Sequence, residues 1–150
     1  MCTILFHLAF PVTDLDEAKR FYEAVLTEDP NNYQAHNNIG FWHDRQGNLL
    51  EARRHFLRAI ELKPSSSQAH NNLGMILGKK GDYEGAIREF ETAVSLDPNS
   101  ARSHTNLGLV YYRRGRVEVA RREWETALKI DPNFVQAQKA ITLLKSRSSQ

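Results

Sequence analysis

The sequence predicts an all-α solenoid of stacked antiparallel helix pairs. An alanine and a proline each recur four times with a strict period of 34 residues. A period of this length is typical of arrays in which each repeat is one supersecondary unit that packs only on its neighbours. The recurring residues are Ala18, Ala52, Ala86 and Ala120, and Pro30, Pro64, Pro98 and Pro132.

The segment between each alanine and its proline predicts the second helix of a pair. An aromatic residue follows the alanine by four positions, and a small or β-branched residue follows three positions later, which places all three on one helix face. The proline then ends the helix, because it disfavours helical backbone in the preceding residue and cannot continue the hydrogen bonding. The aromatic residues are Tyr22, Phe56, Phe90 and Trp124.

The first helix of each pair carries a glycine that we expect to allow close approach of the second helix. These glycines are Gly40, Gly74 and Gly108, and a turn glycine follows at Gly47, Gly81 and Gly115. The pattern of Leu-Gly, alanine, aromatic residue and proline at 34 residues resembles the tetratricopeptide repeat, or TPR. The resemblance implies three full repeats at residues 33–66, 67–100 and 101–134. A partial repeat at 14–32 precedes them, and a capping helix at 135–146 and a frayed tail at 147–150 follow.

The N-terminal segment differs from the rest of the chain. Residues 1–13 contain no charged side chain, and the sequence does not decide whether residues 3–10 are helical or extended. Residues 1–26, through the stretch from Phe6 to Leu26, resemble the opening strand and helix of the vicinal-oxygen-chelate (glyoxalase and dioxygenase-like) family. The resemblance implies that His7 is a metal ligand, but the helical repeats that follow supply no evident further ligands. We expect the segment to pack on the first repeat as an N-terminal cap.

Composition limits the classes of function. Of the 150 residues, 41% are hydrophobic and 25% charged, as in a soluble folded protein. The net charge of +2 indicates no nucleic-acid or membrane partner. The single cysteine, Cys2, excludes an internal disulfide framework and suits a reducing compartment. No apolar run approaches the roughly 18 residues of a spanning helix, so we expect a cytoplasmic protein.

Three rows of equivalent residues are predicted on the concave face, where the first helices of successive repeats lie side by side. Asparagine can donate and accept hydrogen bonds, so it can hold a peptide backbone without reading its sequence. Its row resembles the asparagine ladder of O-linked N-acetylglucosamine transferases, which implies peptide binding. The apolar row can receive side chains and the basic row acidic groups. The rows are Asn38, Asn72 and Asn106; Phe41, Met75 and Leu109; and Arg45, Lys79 and Arg113, reinforced by Lys80 and Arg114.

A fourth row, of histidines, invites a metal hypothesis. It consists of His36, His70 and His104. Neighbouring helix axes lie roughly 8–10 Å apart, whereas two imidazoles on one zinc need donor atoms about 3–4 Å apart. We therefore expect structural histidines. The sequence also contains no supported nucleophile–base pair, acidic pair or phosphate-binding loop, so it predicts no enzyme, no cofactor and no metal.

Three functional hypotheses follow. The favoured one is a non-enzymatic adaptor or scaffold that binds an extended, acidic or mixed peptide in its concave groove. The second is a homo-oligomer that associates through the apolar N-terminus or the ends of the array. The third is a remnant or hybrid glyoxalase-like metalloenzyme that uses His7.

Overall fold

The structure is a computed structural model that describes the backbone of residues 15–148 and the side chains through residue 146. All regular structure in this range is helical, which confirms the predicted all-α solenoid. The helices are α1 (Leu15–Glu28), α2 (Tyr33–Arg45), α3 (Leu49–Leu62), α4 (Ser67–Lys79), α5 (Tyr83–Leu96), α6 (Ala101–Arg113), α7 (Val117–Ile130) and α8 (Val135–Ser148). None of these helices is long and apolar enough to cross a membrane.

Consecutive helices pair and then stack in chain order. The tightest pairs are α2 with α3, α4 with α5 and α6 with α7, and each pair packs on the next. Helix α1 packs on α2 as the second helix of a partial repeat, and α8 packs on α7. The final helix ends at Ser148, two residues beyond the predicted end of the capping helix. The conformation of residues 3–10 and the role of His7 lie outside the described residues.

Caps and turns fix the helix boundaries. Each first helix of a full repeat begins after a residue whose side chain accepts a hydrogen bond from the backbone N–H three positions on. These caps are Asn32, Ser66 and Ser100. The turn glycines Gly47, Gly81 and Gly115 have φ of 77°, 84° and 75°. This left-handed conformation favours glycine, which has no Cβ to clash.

A contact between the first-helix glycine and the second-helix aromatic residue holds each helix pair together. A Cβ on Gly74 would lie 2.8 Å from Cε1 of Phe90, and a Cβ on Gly108 would lie 2.5 Å from Nε1 of Trp124. Both aromatic side chains are buried. The periodic alanines Ala52, Ala86 and Ala120 are fully buried on the partner helices, as their spacing predicted.

Candidate peptide-binding groove

The first helices of the repeats form a groove in which several predicted row residues meet. A pocket of about 350 Å³ spans α2, α4, α6 and the start of α8. Residues from the asparagine row and the apolar row share its wall with residues that the sequence did not indicate. The lining residues are Phe41, Asn72, Met75, Arg102, Thr105, Asn106, Phe134 and Gln136.

A second pocket, of about 560 Å³, lies between α4 and α6. Its apolar part includes Met75 and Leu109, and the latter is 45% exposed. The cations Lys79, Lys80 and Arg113 line the same pocket. One surface therefore offers apolar contact area next to positive charge.

Two members of the asparagine row donate hydrogen bonds to asparagines of the preceding repeat. The Asn72 side chain donates to Oδ1 of Asn37 at 2.9 Å, and Asn106 donates to Oδ1 of Asn71 at 3.0 Å. Each donor amide keeps its own oxygen and a second N–H. Asn38 lines neither of these two pockets. It lines a third pocket, between α1 and α2.

Within the basic row, Lys79 forms an internal ion pair. The Lys79 ammonium lies 2.5 and 2.7 Å from the two carboxylate oxygens of Asp44, which is only 8% exposed. The pair connects α2 to α4, so part of the positive charge of Lys79 is already neutralised by Asp44. Arg114 is likewise paired, with Glu84 at 2.9 Å. Arg45 and Arg113 are exposed and have no ion-pair partner among the described residues.

The histidine row is structural in the second and third repeats. His70 contacts the Pro64 carbonyl at 3.0 Å and Glu89 at 2.7 Å. His104 repeats the arrangement with the Pro98 carbonyl at 3.0 Å and Glu123 at 2.7 Å. Each imidazole links the start of a first helix to the preceding loop and to its partner helix.

The first repeat breaks this arrangement. His36 keeps the proline contact, to the Pro30 carbonyl at 3.2 Å, but its other ring nitrogen lies 3.1 Å from Nδ1 of His55. The His55 ring stacks on that of His43 with 5.6 Å between centroids. Burial lowers the pKa of His55 to about 4, helped by His36 and His43, and burial also lowers the pKa of His43. Both imidazoles are therefore neutral at pH 7.

Sequence reasoning missed the contributions of Asp44, Asn37 and His55. Asp44 and His55 break the repeat pattern, since the equivalent positions hold Gly78 and Tyr112, and Glu89 and Glu123. A position-by-position comparison of the repeats would have singled them out. Asn37 gave a weaker signal, because Asn71 repeats it once.

The fold and groove define a helical-repeat interaction module, and family comparisons name the repeat. A tetratricopeptide repeat model matches residues 33–66 and 101–134, and a second model with that description matches 55–88. A model described as TPR repeat matches 75–115. Together the matches extend over residues 33–134, so the chain belongs to the tetratricopeptide repeat family. Repeats of this family mediate protein–protein interactions, and the chain is a scaffold module of that kind.

Solved structures with the same architecture include two crystal structures of MamA. The first is 28% identical with a TM-score of 0.77, and the match covers 91% of this chain and 80% of MamA. The second is 29% identical with a TM-score of 0.73, and covers 87% and 71%. A search among curated proteins gave no match.

An enzyme also contains a similar array. A mutant O-GlcNAc transferase of Thermobaculum terrenum is 31% identical with a TM-score of 0.68, over 70% of this chain. The match covers only 20% of the transferase. The likeness therefore concerns a helical array and transfers no catalytic activity.

Proposed function

We propose that this protein is a non-catalytic adaptor that holds an extended peptide in the groove formed by α2, α4 and α6. The observation that carries the proposal is the pocket between α4 and α6, which combines the apolar Met75 and Leu109 with three cations. An extended peptide with alternating apolar and acidic side chains matches this chemistry. The remaining amide groups of Asn72 and Asn106 are suited to bind its backbone. A cytoplasmic location stays a prediction from the sequence.

The cations give the proposal its charge preference. Arg113 is exposed and has no ion-pair partner among the described residues, so a peptide carboxylate can bind it without breaking an internal pair. Lys79 donates to both oxygens of Asp44 and keeps a third N–H, and its side chain is 46% exposed. An acidic peptide therefore adds to the Asp44–Lys79 pair instead of replacing it.

The test compares labelled extended peptides of alternating Leu and Asp with matched peptides of alternating Leu and Lys, by fluorescence anisotropy. We expect tighter binding of the acidic peptide and a loss of about tenfold, or ~1.4 kcal/mol, in Leu109→Asn. Arg113→Gln should reduce the preference for Asp over Lys. The matched control is Leu96→Asn, because Leu96 is 41% exposed but lies on α5, a second helix. Equal binding of both peptides, or equal losses in Leu109→Asn and Leu96→Asn, would refute the proposal.

A second candidate function is head-to-tail self-association. Helix α1 is a second helix without a first-helix partner among the described residues, and α8 is a first helix that no second helix follows there. The outer face of α8 exposes Val135 by 52% and Leu143 by 48%. A second copy that covers this face would bury them. Sedimentation over a range of concentrations tests the candidate: association that Leu143→Lys abolishes supports it, and a monomer throughout contradicts it.

A further inference from the structure

The first repeat contains a cluster of metal-binding side chains that the other repeats lack. His43 on α2 and Glu51 and His55 on α3 place one possible ligand atom each within 4.8 Å of one another. All three residues are half-buried. The positions equivalent to the two histidines hold Leu77 and Tyr111, and Glu89 and Glu123.

The hydrogen bonds of His36 favour one tautomer of His55 in this cluster. The Pro30 carbonyl can only accept, so the His36 nitrogen beside it, Nε2, carries the hydrogen. In this Nε2–H tautomer of His36, Nδ1 is bare and accepts from Nδ1–H of His55. This leaves Nε2 of His55 with a free lone pair. A histidine whose second nitrogen donates to a neighbour is the usual arrangement of a metal ligand.

His43 provides an independent indication of a missing partner. Its Nδ1 is buried and has no hydrogen-bond partner among the described residues. A buried polar nitrogen left without a partner costs free energy, which a bound cation would recover. It is the one such buried side-chain atom found in the part of the chain that the structure describes.

We propose that His43, Glu51 and His55 bind a divalent transition-metal ion of the zinc class. Two imidazoles and one carboxylate are a ligand set that zinc uses, with water in a fourth position. Bonds of about 2.0–2.2 Å to one centre place ligand atoms roughly 3–4 Å apart, and the three possible ligand atoms lie within 4.8 Å of one another. Rotation of the flexible Glu51 side chain can adjust its distance to the ion. The ion then links α2 to α3 across the first repeat, and His36 positions His55.

Neighbouring charges set the cost of binding. Glu51 forms an ion pair with Arg54 at 3.1 Å, and the Arg54 side chain is 72% exposed. Exposed pairs of this kind contribute about 0–1 kcal/mol, so a metal ion can compete with Arg54. Lys19, which lies over the Trp42 ring at 4.4 Å, adds positive charge near His43, and Glu23 offsets it. The charges around the site therefore allow a divalent cation to bind.

The test uses the full chain, stripped with a chelator and titrated with Zn²⁺ in a calorimeter. We expect one Zn²⁺ per chain and a higher Tm at saturating Zn²⁺. His43→Leu installs the residue that the second repeat has at this position, so it should fold and bind Zn²⁺ at least about tenfold more weakly. Glu51→Gln should also weaken binding and gives a second measurement should His43→Leu not fold. His70→Gln, in the second repeat, is the matched control and should bind as the wild type does.

Two further measurements distinguish this site from other metal binding. Cys2→Ser with His7→Gln should leave the affinity unchanged, because neither residue belongs to the proposed site. The Trp42 and His43 rings are 4.9 Å apart, so Cu²⁺ should quench Trp42 fluorescence in the wild type and much less in His43→Leu. No one-to-one Zn²⁺ binding, wild-type affinity in both His43→Leu and Glu51→Gln, or loss of binding in the Cys2 and His7 variant would overturn the proposal.

Discussion

Replacing Gly74 with alanine should destabilise the array, although alanine is the better helix former. The new Cβ would lie 2.8, 2.9 and 3.1 Å from three carbons of the Phe90 ring. Unstrained carbon contacts are about 3.5–4.0 Å, and the Phe90 side chain is only 2% exposed, so it has no space into which to move. Overpacking of this kind costs about 1–3 kcal/mol.

The helix-forming gain of alanine opposes that cost. Glycine is about 1 kcal/mol less favourable than alanine in a helix interior. Because three ring carbons are approached at once, we take the upper part of the overpacking range, which leaves a net loss of about 1–2 kcal/mol in Gly74→Ala.

Gly78 gives a matched control on the same helix. A Cβ on Gly78 would meet only Cβ of Ala86, at an ordinary 3.8 Å. Gly78→Ala should therefore stabilise the protein by up to about 1 kcal/mol. Urea unfolding followed by circular dichroism measures both variants. The reasoning fails if the two substitutions shift the free energy of unfolding in the same direction.

Three other predictions test electrostatics and capping. Lys79→Met should lower the free energy of unfolding in urea by about 1–2 kcal/mol, because the buried Asp44 carboxylate loses its partner; the figure is discounted because Lys79 is exposed. Adding Asp44→Asn should recover part of that loss, and no recovery would contradict the role of the pair. Asp82→Ala should cost about 1 kcal/mol of stability, because the Asp82 side chain caps α5. Asn48→Ala should cost less, because the Asn48 side chain forms no cap hydrogen bond. Equal losses would be inconsistent with the capping geometry. Burial and a hydrogen bond to a carboxylate raise the pKa of Tyr111 to about 12, above about 10 in an unfolded chain. The stability that the protonated Tyr111 side chain adds is therefore complete below pH 10 and is lost as the pH rises to 12. Tyr111→Phe should make the decline in stability over this range less steep, by up to about 1.4 kcal/mol per pH unit. Parallel pH profiles of the two proteins would contradict the raised pKa of Tyr111.

The fold could be predicted from sequence because each repeat has a glycine and an aromatic residue at equivalent positions. Gly74 is complementary to Phe90, and the pairing recurs 34 residues later with Gly108 and Trp124. An error in interpreting one copy would have been corrected by the others. The repeat boundaries at residues 33, 67 and 101 therefore coincide with the observed helix starts.

The partners of the groove residues were much less predictable. Periodicity placed Lys79 on the first helix but could not show that Asp44, 35 positions earlier, would bind it. Nor did it indicate that Asn72 would donate to Asn37. Such contacts cross from one repeat to the next and depend on side-chain reach, which averaging over repeats hides.

The two proposed sites share α2 but lie on different sides of it. Phe41 lines the groove, whereas His43, two positions later, stacks against α3. Two positions correspond to about 200° around an α-helix. A metal ion bound by His43, Glu51 and His55 would therefore stabilise the first helix pair without occupying the groove. It could change peptide affinity only by moving α2 relative to α4. The Asp44–Lys79 pair and the Asn72–Asn37 hydrogen bond both resist such movement, so any coupling between the two sites should increase when either contact is removed.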